Sequence, residues 1–385
     1  MASTTTAMET HFADQFNELL KAETDPAIRK LREAAFAAFS LSGFPTPRDE
    51  DWKYTNVASI AKESWTVAAP TAESAKAVAS IHDILAAFNF RRNGFAALNL
   101  AFAEFKVIRI PKETSVAEPI EISFSAETDT AIFPHVIIIA EAGSKATIVE
   151  SYASTTKSFV NAAVQIVVED NANLTHYRVQ KDSAEAFNVG TTEVSLGSGS
   201  RYDSTNINLG GAISRHDIDV KFTAEGGEAW VDGLYMLNGS QHHDTHSIID
   251  HTVPNCLSHQ NYKGVLNDKS RGVFNGKVFV RENAHGTDAQ QSNKNLLLSN
   301  DARVDTKPQL EIFNDDVKCS HGATVGQLEE EELFYLLTRG LPETLAKNLL
   351  TYGFAEEVIK KIGIESIKRE LDNTVLNRLN TNLEI

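Results

Sequence analysis

Turn-forming clusters recur along the middle of this chain at one fixed interval, and few folds accommodate that. They stand at Ala142-Gly143-Ser144, Asp170-Asn171-Ala172, Ser198-Gly199-Ser200 and Gly226-Gly227-Glu228, each 28 residues beyond the last. The same step reaches Pro254-Asn255-Cys256 and Glu282-Asn283-Ala284. A second series, Ser183, Gly211, Gly239 and Asn267, keeps the interval half a period away. Gly, Asn, Asp, Pro and Ser are the residues that turns select. Between them lie alternating segments such as "SKATIVES", "NLTHYRVQ" and "EAWVDGLYM", rich in strand formers. Two turns and two strands per period predict a coiled β-solenoid whose coils stack at about 4.8 Å. An antiparallel sandwich also repeats its turns, but usually every ~8–12 residues and without a sustained register.

The flanks read differently. "HFADQFNELLKA" and "PAIRKLREAAFAAFSLSG" carry apolar residues at helical spacing, with Pro26 suited to a helix start and Gly43 to a stop. After the core, "GQLEEEELFYLLTRG", "PETLAKNLLTYGFAEEVIKKI" and "ESIKRELDNTVLNRLN" are helical again. The expected organisation is a helical region over 1–108, a parallel β-helix over 109–326 and a helical domain over 327–385. The last is expected to cap the end of the solenoid and cover its open edge.

A chain of 385 residues exceeds one ordinary compact core, which an elongated repeat fold accommodates. Its net charge of −16 argues against a general affinity for nucleic acid or anionic membranes and suits cationic partners or metal ions. The amino terminus shows no secretory leader, and no apolar run approaches the ~18 residues of a membrane helix. Cys256 and Cys319, the two cysteines, make no disulfide framework and suit a reducing cytoplasm. No P-loop, G-x-G-x-x-G, C-x-x-C or H-E-x-x-H occurs; "RGVFNGKV" has Gly276-Lys277 but the wrong glycine spacing. A conventional enzyme has little to stand on.

Two clusters carry chemistry. "QHHDTHSIIDHT" holds His242, His243, His246 and His251 with Asp244 and Asp250. On a strand, His242, Asp244 and His246 share one face and come within reach of one cation. Three adjacent same-face ligands close a tetrahedron poorly, and an exposed polar face is the alternative. "DDVKCSHGATVG" holds Cys319 and His321, again on one face. This pair suits an iron or cluster ligand set, a nucleophile and base oriented by Asp315 or Asp316, or simple packing. A [4Fe–4S] cluster takes four thiolates, so with two cysteines any cluster here needs ligands from another chain.

"TPRDEDWKYTNV", "QNYKGVLNDKSRGVFNGKVFVRENAHGTDAQQSNKNLLLSNDARVDTKPQLEI" and "DDVKCSHGATVGQLEEEELFYLLTRG" resemble the SufB/SufD family, scaffold proteins of the Suf iron–sulfur cluster assembly machinery, and within it the SufD type. The resemblance spans essentially the whole chain. It implies a mainly β fold, a right-handed parallel β-helix between N- and C-terminal helical regions. It also implies a non-catalytic subunit that pairs with SufB and binds the ATPase SufC through its C-terminal helices, where Phe334, Tyr335 and Arg339 are the first candidates. A nascent cluster would form transiently at the SufB interface, with His321 acting beside a SufB cysteine and Cys319 next to it. His242 and His246 are then structural or a second iron-handling patch. Reduced flavin accompanies some such complexes, and no residue here is assignable to it. When isolated, the chain is a candidate homodimer. Two competing readings are a β-helix carbohydrate-active enzyme and a metal-binding β-solenoid used for storage.

Overall fold

The computed structural model describes residues 8–70 and 81–379. Residues 1–7, 71–80 and 380–385 lie outside the described residues, so the amino-terminal stretch read for a leader and parts of both expected helical regions fall there. Two sheets, one of ten strands and one of eight, face each other as the walls of a parallel β-helix. The chain alternates between them: Phe159–Val168 in the first sheet, Asn173–Gln180 in the second, Phe187–Leu196 back in the first. Every pairing between named strands is parallel, as a coil returning on itself requires. Parallel pairing reaches back to Glu104–Ile110 on Pro134–Ala140, and to Thr66–Val67.

One corner of each coil is built on the predicted turns, except that the sixth left-handed residue is Gly286, two residues beyond the predicted Glu282-Asn283-Ala284. Gly143, Asn171, Gly199, Gly226, Asn255 and Gly286 all have positive φ, between 56° and 76°. Only glycine, and asparagine at small cost, visits that region routinely. In each case the turn N–H donates to a carbonyl of the next coil's turn, as Gly143 does to Asp170 and Asn171 to Ser198. The strict interval does not persist. Lys145 pairs with Asn173 and Asn173 with Arg201, steps of 28. The next steps, to Glu228, Leu257, Asp288 and Lys318, are 27, 29, 31 and 30. Longer loops around 281–286 and 298–302 absorb the extra residues while the strands stay in register.

Helices cover the outer faces. Asp25 caps Pro26–Ser42 by accepting from Ala27 and Ile28, and Gly43 ends it at φ 62°. Helix Gly94–Phe102 is buried at every position, between that helix and the first sheet. An aromatic cluster including Phe12, Phe39, Trp52, Phe95, Phe102, Phe133 and Phe159 fills the layer. On the second sheet, helices Glu343–Ile359 and Glu365–Arg378 set Ala355, Val358, Ile359, Leu371 and Val375 on Val179, Ile207, Leu209, Leu234, Met236 and Val265. Lys361 pairs with Asp232 at 2.6 Å, and Lys263 pairs with Glu357.

That placement corrects the expected cap. The C-terminal helices lie on the face of the second sheet, because its outward residues at the middle coils are apolar and need cover. They do not close the end of the solenoid. The last rungs, Arg303–Ile312 and Val317–Gly326, have no further strand beyond them among the described residues.

Gly94 tests the packing of the N-terminal layer. A Cβ there would lie 2.0 Å from the backbone oxygen of Gly43, which a side-chain rotation cannot relieve. Gly94→Ala should lower stability by about 2–3 kcal/mol in denaturant unfolding. Gly322→Ala, with nothing within 4 Å, should leave it unchanged within about 0.5 kcal/mol.

Candidate functional site

Strand Val317–Gly326 owes its conformation to the ladder beneath it, since its Cys, Ser, His and two Gly are weak strand formers. Cys319 pairs in register with Ala289 and His321 with Gln291. Both partners are buried, facing the lumen, so Cys319 and His321 share the inward face of the terminal coil. The expected common face is present. Cys319 is half-buried against the lumen core, whereas His321, with no coil above it, is exposed. Burial pushes the Cys319 thiol above its ordinary pKa, which lowers its thiolate fraction. Cys319 and the buried Cys256 are both free thiols.

Among the described residues, no hydrogen bond joins Asp315 or Asp316 to Cys319 or His321. Asp315 and Asp316 lie in the turn that precedes the strand, where Asp316 receives Gly286 N–H on its carbonyl and donates its own N–H to Asn314. The last two strands and the turn between them also carry exposed apolar side chains: Ile312 (41%), Phe313 (55%) and Val325 (49%). The open end therefore joins unpaired strand edges, apolar surface, a thiol and an imidazole.

Phe334, Tyr335 and Arg339 lie apart from this pair, on helix Glu330–Thr338 and at its end. None of the residues of that helix is buried. Phe334 is 68% exposed and Tyr335 56%, and Arg339 stacks on Tyr335 while donating to its hydroxyl at 3.1 Å. An amphipathic helix with an uncovered apolar face is shaped to receive a partner.

The histidine-rich strand, His242–His251, has a different setting from the one its residues suggested. His242, Asp244 and His246 do share the outer face of the first sheet, under the segment Pro45–Thr55. Thr55 donates to Asp244 at 2.6 Å and contacts His242 Nε2 at 2.8 Å. Arg215, on the neighbouring strand, donates to Asp244 and to the Asp51 carbonyl, both at 2.7 Å, and stacks on Trp52 at 3.8 Å. His246 Nε2 lies 3.1 Å from the Asp244 carboxylate. Against the cost of burial, the neighbouring His246, Arg215 and Thr55 hold the Asp244 carboxyl far below its usual range. No group of three or more His, Cys, Asp or Glu able to hold a metal ion occurs among the described residues. The "EDWKYT" motif and the histidine patch thus form one clasp that fastens the N-terminal layer to the β-helix. Sequence reading missed Arg215 and Trp52; the only available signal was that Arg215 precedes Asp244 by one coil.

A cavity of about 1080 Å3 lies between helix Met8–Ala22 and residues 67–70 and includes neither Cys319 nor His321. A groove of about 370 Å3 does reach His321; Trp230 and His259, stacked at 4.3 Å, form part of its wall. Among the described residues no helix is long and apolar enough to cross a membrane.

Residues 123–354 match the SufBD core domain of the SUF system for FeS cluster assembly, and residues 3–84 match the SufBD protein N-terminal region. The chain is 37% identical over 295 residues to an iron–sulfur cluster assembly SufBD family protein of Synechocystis, across 73% of this chain. It is 35% identical over 255 residues to the iron–sulfur cluster assembly protein SufD of Escherichia coli, across 66% of this chain. The matched parts span 65% and 60% of those two relatives, under two thirds of either. A SufBD family protein of Mycobacterium tuberculosis is 28% identical over 370 residues, which cover 89% of this chain and 92% of the relative.

The buried histidines predict acid sensitivity. Burial holds His135 and His251 neutral, with pKa lowered to about 4, and His243 to about 3. The unfolded chain protonates them near 6.5. Their contribution is therefore complete above that pH and is lost as pH falls towards 4. Glu193, pushed up to about 7 by burial, and Asp219 and Asp232, also raised by burial, oppose them, while His216 and His242, lowered by burial, act in the same direction as the three. Unfolding free energy should drop by several kcal/mol between neutral pH and pH 4, and His251→Gln should give a shallower slope. A flat profile would count against burial of these rings.

Proposed function

Because the chain belongs to the SufB/SufD family, as a SufD-type member, we propose that it is a non-catalytic scaffold subunit of a SufBCD complex for iron–sulfur cluster assembly. The observation that carries this reading is the open end of the β-helix. Both last strands present unpaired backbone donors and acceptors beside Ile312, Phe313 and Val325. Bare, apolar strand edges are unstable as free surface, and a second β-helix end satisfies them by continuing the ladders. SufB is the proposed occupant, and a second copy of this chain is the proposed substitute when it is isolated.

In that arrangement His321 and Cys319 stand at the junction of two lumens. The nascent cluster is cargo there, and most of its ligands come from SufB, since this chain offers one imidazole and one thiol. His321 is the stronger donor of the two: its ring is exposed at the edge, whereas burial keeps Cys319 protonated. SufC is proposed to dock on helix Glu330–Thr338 through Phe334, Tyr335 and Arg339, and ATP hydrolysis belongs to that partner. Reduced flavin, where present, is a property of the whole complex. The setting is the cytoplasm.

Two variant sets test this. His321→Ala should leave the complex with SufB and SufC intact on co-purification but cut cluster content at least tenfold, while Cys319→Ala cuts it less. Normal loading of the His321→Ala complex would sink the ligand role. For SufC, the paired substitution Phe334→Ala and Tyr335→Ala is preferable to deleting everything after Glu329. The deletion would also strip the cover from Val179, Ile207, Leu234 and Val265. Pull-down of SufC should fall at least tenfold with unfolding temperature unchanged; undiminished capture would place the contact elsewhere.

A further inference from the structure

Midway along the second sheet, two asparagines of strand Arg201–Asn208 line one small cavity inside the lumen. Asn206 and Asn208 stand two residues apart on the inward face, 7% and 4% exposed. The side-chain oxygens of both are buried and have no hydrogen-bond partner among the described residues. What the nitrogens touch fixes the orientation of each amide. Asn206 Nδ2 donates to the Asp232 backbone oxygen at 3.2 Å, a group that can only accept. Asn208 Nδ2 donates to Gln180 Oε1, and Gln180 Nε2 in turn donates to the Asp182 carboxylate at 2.7 Å. Flipping either amide would set oxygen against oxygen, so both Oδ1 atoms stay acceptors. A buried acceptor left unpaired is costly, and native structures almost always supply a donor.

The side chains that share the cavity are held in place by other contacts. Arg178 donates to Asn188 at 3.0 Å and stacks on Tyr152 at 4.7 Å. The Tyr262 ring lies against Gly233, where a Cβ would be 2.2 Å from it, so its hydroxyl has no room to swing across the lumen. Both ring nitrogens of His243 are engaged, with Ser214 at 2.8 Å and Thr245 at 2.9 Å. His216 turns Nε2 to Thr192 at 2.9 Å. None of these groups stands within hydrogen-bond distance of either oxygen. The space between measures about 10 Å3, the scale of a single water, and every residue lining it is buried.

We propose that one water molecule is built into the lumen at this point. It donates its two protons to Asn206 Oδ1 and Asn208 Oδ1, and its lone pairs face the Tyr262 hydroxyl and the Arg178 guanidinium. The charge pattern selects a neutral guest: two amide oxygens repel a halide, and the guanidinium repels a metal cation. Buried waters typically make about three hydrogen bonds to groups otherwise unsatisfied, as here. The water joins two hydrogen-bonded groups of the lumen. Asn208 belongs with Gln180, Asp182, Ser214 and His243, and Asn206 with Ser204 and Tyr262. This site is independent of whatever covers the open end.

A crystal structure of the full chain, at a resolution that places waters, tests it first. One spherical density peak should lie within hydrogen-bond distance of both Oδ1 atoms. A cavity without density, or either oxygen paired directly with Arg178 or Tyr262, would overturn the proposal. Crystals grown with bromide in place of chloride check the identity of the guest, because an anomalous peak at the site means a halide and overturns it equally. In solution, water 17O relaxation dispersion counts long-lived internal waters. Asn208→Leu removes one acceptor and fills the space, and should lower that count by one relative to the wild type. Gly322→Ala, at the exposed edge, should leave it unchanged. An undiminished count in folded Asn208→Leu also overturns the proposal; should that variant fail to fold, the wild-type crystal structure decides.

Discussion

Parallel coil-on-coil hydrogen bonding is the interaction on which the rest of this structure depends. Each strand satisfies its backbone only through the coil before it and the coil after it, so a weak strand former is held wherever its neighbours are strong. Val317–Gly326 is such a case. The same rule makes the final coil different from all others, because the backbone that every earlier coil pays forward to the next is left unmatched there. Cys319 and His321 sit at that discontinuity.

The layers outside the β-helix follow from which coils expose apolar faces. Early in the first sheet the outward residues include Phe133, Phe159 and Phe187, and the N-terminal helices bury them. In the middle of the second sheet they include Ile207, Leu234 and Val265, and the C-terminal helices bury those. On the first sheet the N-terminal layer reaches the last rung only at its margin, where Glu50 pairs with Lys307 at 3.7 Å. The clasp of Thr55, Trp52, Arg215, Asp244 and His242 then fixes the first layer by buried charge and hydrogen bonds, an arrangement whose pieces are strongly interdependent. A histidine-rich strand that looks like a metal site in sequence becomes here the receiving half of an internal joint.

Inside, the lumen combines apolar stacks with polar rungs such as Gln260 and Gln291. Polar groups in so dry a space restrict which side chains can stand next to them.

Much of this was legible in the sequence. The turn clusters at Gly143, Asn171, Gly199 and Gly226 announced the solenoid, because left-handed turn residues are chemically distinctive and local. Pro26 and Gly43 marked a helix for the same reason. The spacing of Cys319 and His321 placed both on one face, since strand periodicity is a property of neighbouring residues. What the sequence left open were contacts between residues far apart along it: whether the C-terminal helices meet an edge or a face, that Thr55 meets His242, that Gln291 lies beneath His321. Loops that lengthen the later coils shift the register by one to four residues, and no local pattern reveals which residues then stack. Only the closed coil, with its backbone ladders satisfied, decides that.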